Sequence, residues 1–127
     1  MKNNIYIKKK LASNWFYLLQ QTICYEFQKI EIDYGKKSKK KPKLFEKNLW
    51  KKSKIKNEGG GTYYIIKNGL VFDKVGINIS EVNGNFDSKL RSQILGAKKN
   101  PSYWAAGISI VAHMKNPKIP ALHFNTR

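Results

Sequence analysis

The sequence predicts an α+β chain: an N-terminal amphipathic helix followed by antiparallel β-hairpins. Three observations carry this. Apolar residues recur at three- and four-residue spacing through residues 10–31, the period of a helix with one buried face. Asn68-Gly69 stands between two apolar runs, residues 62–67 and 70–75, a strong hairpin signal because both central turn positions need positive φ. Residues 105–113 and 121–127 alternate apolar and polar side chains, the period of strands with one covered face.

In order along the chain, the helix stripe is Ala12, Phe16, Leu19, Ile23, Phe27 and Ile30, with Trp15 beside it and Gly35 as the stop signal. Residues 36–56 differ in kind: they hold eleven Lys and one acid, Glu46, with Pro42 among them. Such a stretch reads as a self-repelling linker or surface loop, in which Leu44, Phe45, Leu49 and Trp50 anchor at most one helical turn. From Gly59 the pattern turns β-like, with a second turn expected at Asn83-Gly84. Residues 87–99 read as a short helix with Leu90, Ile94 and Leu95 facing inward. Asn116-Pro117 and Ile119-Pro120 break the ladder between the last two strands, because proline has no N–H to donate. The Gly59-Gly60-Gly61 run lacks the Lys-Ser/Thr ending of a phosphate loop and reads as a flexible entry to a strand or a close backbone approach.

Composition limits the partners. Twenty-five basic residues against eight acidic give a formal charge of +17, which attracts polyanions or anionic surfaces. The bases are 23 Lys and two Arg, whereas bidentate reading of phosphates and bases favours Arg. Nucleic acid is therefore not the expected partner. The rival from another class is a small basic nucleic-acid-binding protein using residues 36–56. Cys24 is the single cysteine, which excludes an intramolecular disulfide and a Cys-based zinc site. The N-terminus has no secretory pattern, and no apolar run reaches the roughly 20 residues of a membrane span. A cytoplasmic location is the expectation.

Both histidines, His113 and His123, lie in the last hairpin. A hairpin centred near Lys118 sets His113 opposite His123 and Ser109 opposite Arg127. Alternation then gathers Ser109, Val111, His113, His123, Asn125 and Arg127 on one face. Ile108, Ile110, Ala112, Leu122 and Phe124 share the other. Two imidazoles on neighbouring strands can hold a divalent metal or move protons. Arg127 can grip a carboxylate bidentately, and Ser109 and Asn125 can orient a ligand. The alternative is that this is merely the solvent side of an antiparallel pair.

These residues also carry a resemblance. Glu58-Gly59-Gly60-Gly61, the run Asn68-Gly69-Leu70-Val71-Phe72-Asp73-Lys74-Val75-Gly76-Ile77-Asn78-Ile79-Ser80, and Val82-Asn83-Gly84 resemble the start of oxygen-dependent coproporphyrinogen III oxidases. So do Ala106-Gly107-Ile108-Ser109-Ile110-Val111-Ala112-His113 and Asn116-Pro117-Lys118-Ile119-Pro120-Ala121-Leu122-His123-Phe124-Asn125-Thr126-Arg127. The match covers most of residues 15–127. Asp73 stands for the family's Glu, Met114 for its Pro, and residues 36–56 are more basic than the family pattern.

The resemblance implies oxidation of coproporphyrinogen III to protoporphyrinogen IX, with two propionates decarboxylated to vinyls. Molecular oxygen is the co-substrate and no organic cofactor is used. It maps Ser109, Asn125, Thr126 and Arg127 to substrate binding, His113 and His123 to a divalent metal cation, and His123 to the proton donor. It implies a homodimer and a larger antiparallel sheet flanked by helices, of which residues 1–127 form a single incomplete domain. Family members are more than twice this length. The expectation is an N-terminal portion of the oxidase, inactive alone.

Overall fold

The computed structural model describes residues 2–127, with side chains from Asn4 onward. Helix α1 (Lys2–Ser38) is followed by β1 (Glu46–Lys51), β2 (Gly59–Lys67), β3 (Phe72–Asn85), the short helix α2 (Ser88–Gln93), β4 (Ser102–Met114) and β5 (Leu122–Thr126). The five strands form one antiparallel sheet in sequence order. The α+β expectation holds.

Helix α1 lies across β3 and β4. Phe16, Cys24 and their half-buried neighbours Ala12, Leu19, Ile23 and Phe27 pack on Ile66, Phe72, Val75, Ile77, Ile108, Ile110 and Ala112. The helix is longer than its stripe at both ends, because the flanking lysines are good helix formers and nothing there breaks the backbone. Gly35 does not stop it. Gly35 is a buried helical residue over which the chain doubles back, so a Cβ there would stand 2.9 Å from the Lys40 carbonyl oxygen. The helix ends through Lys39 in the left-handed region, φ 55°. Ile30, expected on the core face, is half exposed, and Glu31 is fully buried instead.

Two buried polar side chains fix the helix to the sheet. Gln20 Nε2 donates to the carbonyls of Thr62 and Ile77, at 2.8 and 2.9 Å, bridging β2 and β3. The Glu31 carboxylate accepts from the backbone N–H groups of Leu70, Val71 and Phe72, at 2.9, 2.8 and 2.8 Å. These groups form the β2–β3 connection, whose tip differs from the expected one. Asn68 pairs with Asp73 and Gly69 with Phe72, so Leu70-Val71 is the turn, and of the Asn-Gly pair only Asn68 has positive φ. A carboxylate gathering three consecutive N–H groups outweighs the intrinsic preference of Asn-Gly.

Three further expectations are corrected. Part of the Lys-rich segment is a strand: β1 pairs with β2 from Glu46↔Ile65 to Lys51↔Gly60. Lysines suit a sheet edge, where charge deters pairing with another chain. The preceding loop is tied down by Gln28, which donates to the Lys43 carbonyl and accepts from Phe45 N–H. Phe45 and Trp50 do anchor the segment, but in an extended conformation. Asn83-Gly84 is not a turn; it lies inside β3, opposite Trp104 and Tyr103. Helix α2, capped by Asp87, turns Leu90, Ile94 and Leu95 outward, and Ala97 is the buried residue of that excursion.

Candidate active-site face

The β4–β5 register places Ser109 opposite Asn125 and Val111 opposite His123. This is two residues from the expected pairing, and an even shift preserves which face each side chain takes. Ser109, His113, His123, Asn125 and Arg127 therefore share the sheet face away from α1, all exposed. His113 and His123 meet diagonally: their Nε2 atoms are 2.8 Å apart and their ring centroids 5.1 Å apart, tilted by 40°. At that distance one Nε2–H donates to the other's lone pair.

Thr126 falls on the opposite face, with Leu122 and Phe124. Those two were expected in a core and are about half exposed, because α1 covers β3 and β4 but not β5. Leu19, Ile23, Phe27, Ile110, Leu122 and Phe124 line an open apolar cavity of about 360 Å³ beside the helix.

Sequence reasoning assigned no role to the rest of the outer face. Lys74 stands opposite His113, and with Lys67 and Arg127 it makes this surface cationic. Asn78 pairs with Ser109 and accepts from the Trp50 indole N–H at 2.9 Å. The signal was present in β3, where Gly76, Asn78 and Ser80 alternate with the buried or half-buried Val75, Ile77 and Ile79.

Two neighbouring imidazoles are also candidate ligands for a divalent metal. Adjacent octahedral ligands with metal–nitrogen bonds near 2.1 Å lie about 3.0 Å apart. The two Nε2 atoms at 2.8 Å are hydrogen-bonded to each other and would have to part by a few tenths of an ångström to become adjacent ligands of one divalent ion. Among the described residues no group of three or more His, Cys, Asp and Glu side chains gathers, so these two are what this chain offers.

The model of the coproporphyrinogen III oxidase family matches residues 12–127. The chain belongs to that family. It is 47% identical over 119 residues to the oxygen-dependent coproporphyrinogen-III oxidase of Rickettsia felis, covering 94% of this chain and 41% of the relative. The Rickettsia typhi and Rickettsia akari oxidases match over the same shares at 47% and 46% identity. The chain thus spans about two-fifths of the length of these relatives. Among the described residues, no helix of this family member is long and apolar enough to cross a membrane.

Proposed function

We propose that this chain supplies one wall of a coproporphyrinogen III oxidase site, formed by the outer face of β4 and β5. The observation that carries the reading is the convergence of His113 and His123 at 2.8 Å beside Asn125 and Arg127. The substrate is a tetrapyrrole with several carboxylates. Arg127 holds a propionate through its forked N–H groups, while Ser109 and Asn125, directly opposite one another, orient it. Thr126 belongs to the same substrate segment and acts through its backbone, since its side chain lies on the α1 side. Lys74 adds positive charge.

In the reaction each of two propionate arms becomes a vinyl group, with one O2 consumed for each. The carboxylate leaves as CO2, one C–H bond breaks, and two electrons pass to O2, which takes up two protons to become hydrogen peroxide. His123 carries protons in this reading: its Nε2 shares one with His113 Nε2, and the pair relays it without either ring leaving the face. A divalent cation, if held by these two Nε2 atoms, would take the place of the shared proton and would supply positive charge beside the substrate carboxylates. The homodimer is carried by the family resemblance, and the cytoplasmic location by the composition of the sequence.

The chain alone is inactive in this reading, because two imidazoles without a further acid or metal ligand form an incomplete set, and catalytic groups act as a unit. The test is oxygen-dependent formation of protoporphyrin fluorescence from coproporphyrinogen III by the purified 127-residue chain. No turnover is expected, and turnover by the chain alone refutes the reading.

A further inference from the structure

We infer that Asn78, held by Trp50, is a second carboxylate-binding position for the substrate, two strands away from Asn125. This rests on the reading that the outer face binds coproporphyrinogen III.

The cross-strand register draws a transverse polar row over the outer face: Asn125 on β5, Ser109 on β4, Asn78 on β3, then Tyr63 and Asn48. The adjacent row is Gly107, Ser80, Gly61 and Trp50. Its small residues leave a shallow trough with a bulky side chain at each end. The Arg127 stem lies over Gly107, where a Cβ would stand 2.9 Å from Arg127 Cγ. The Trp50 indole lies over Gly61, where a Cβ would stand 2.7 Å from Trp50 Nε1. Trp50 thereby reaches across β2 to Asn78 on β3.

That contact fixes the Asn78 amide. Indole N–H is a donor only, so the Asn78 oxygen must face it, and Nδ2 lies on the side away from Trp50, where Ser109 stands opposite. Among the described residues Asn78 Nδ2 makes no hydrogen bond. An oriented amide donor beside a hydroxyl, with its own acceptor already occupied, suits a carboxylate and rejects a cation. Two strand spacings, roughly 10 Å, separate Asn78 from Asn125. That span matches carboxylates on opposite rings of one macrocycle, an arrangement that four propionates offer and two on adjacent rings do not, so Arg127 and Asn78 take different propionates. Asn78 is a substrate-binding residue; Trp50 is a positioning residue that acts through it.

The test is a fluorescence titration of the 127-residue chain with coproporphyrin III, which has four carboxylates, and mesoporphyrin IX, which has two. Asn78→Asp replaces the donor by a like charge, and Asn78→Ala removes it. Asn78→Asp is expected to weaken coproporphyrin binding about ten-fold or more and to leave mesoporphyrin binding unchanged. Trp50→Phe is expected to lower the coproporphyrin-to-mesoporphyrin preference about three-fold without changing the far-ultraviolet circular dichroism, a selectivity change that a purely structural role would not produce. If Arg127→Ala weakens coproporphyrin binding while both Asn78 variants bind as the wild type does, the inference is wrong and the proposed site stands. If none of these variants changes coproporphyrin binding, both fall.

Discussion

Glu31→Ala tests how the helix is tied to the sheet. The Glu31 side chain is fully buried, and its two oxygens accept three backbone N–H bonds of 2.8–2.9 Å from the β2–β3 connection. Hydrogen bonds to a charged group contribute about 1.5–3 kcal/mol each. The full sum is not lost, because Leu70 and Val71 are half-buried and water replaces part of what they lose. Phe72 is buried, so its N–H stays desolvated and unpaired, at about 1–3 kcal/mol. The expected loss is about 3–5 kcal/mol, a large share of a typical domain's 5–15 kcal/mol. Urea unfolding followed by circular dichroism measures it. Glu31→Gln should lose less, since a carbonyl oxygen in the Oε1 position keeps the bonds to Val71 and Phe72. Native-state hydrogen exchange should speed up at residues 70–72 in both variants. A loss below about 1 kcal/mol for Glu31→Ala would refute the reasoning.

Other outcomes follow from the same contacts. Gln20 makes two hydrogen bonds but leaves its Oε1 buried without a partner; Gln20→Leu should change stability by no more than about 1 kcal/mol, while Gln20→Glu, which sets an acceptor against two carbonyls, should cost about 3 kcal/mol or more. Burial pushes the Cys24 thiol up to about 12, so Cys24 should resist maleimide at pH 8 in the folded chain and react after unfolding. A raised thiol value keeps the proton on the folded state while the unfolded thiol ionises. The stability it contributes is therefore complete below about pH 9 and falls toward pH 12 by about 1.4 kcal/mol per pH unit. The difference between wild type and Cys24→Ala isolates that slope. If the two Nε2 atoms hold a divalent cation, His113→Ala combined with His123→Ala should abolish Co2+ binding measured by titration calorimetry; undiminished binding would place the ion elsewhere.

Much of the candidate site was legible because a shared face survives an even error of register. The β4–β5 pairing differs from the expected one by two residues, yet Ser109, His113, His123, Asn125 and Arg127 still share a face. The core stripe of α1 was legible for the same reason, periodicity being local. What local pattern could not show was set by partners distant in sequence. Glu31 reaches 39 to 41 residues ahead to shape a turn that Asn68-Gly69 would otherwise form alone. Strand β1 was hidden because its lysines mark a loop by composition but suit a sheet edge. Its identity depends on pairing with β2, and on the bond from Trp50 to Asn78. The outward turn of Leu90, Ile94 and Leu95 went unread because their spacing promises a covered face, and none of the described elements covers it.

The most direct test of the account is a chimera in which this chain replaces the matching 119 residues of the Rickettsia felis oxidase. Oxygen-dependent conversion of coproporphyrinogen III would be followed by fluorescence. The chimera should convert the substrate, and His123→Ala should lower the rate about a hundred-fold or more, as expected for a positioned proton-transfer group. Conversion that is unchanged by His123→Ala, in a chimera of unaltered circular dichroism, would contradict it.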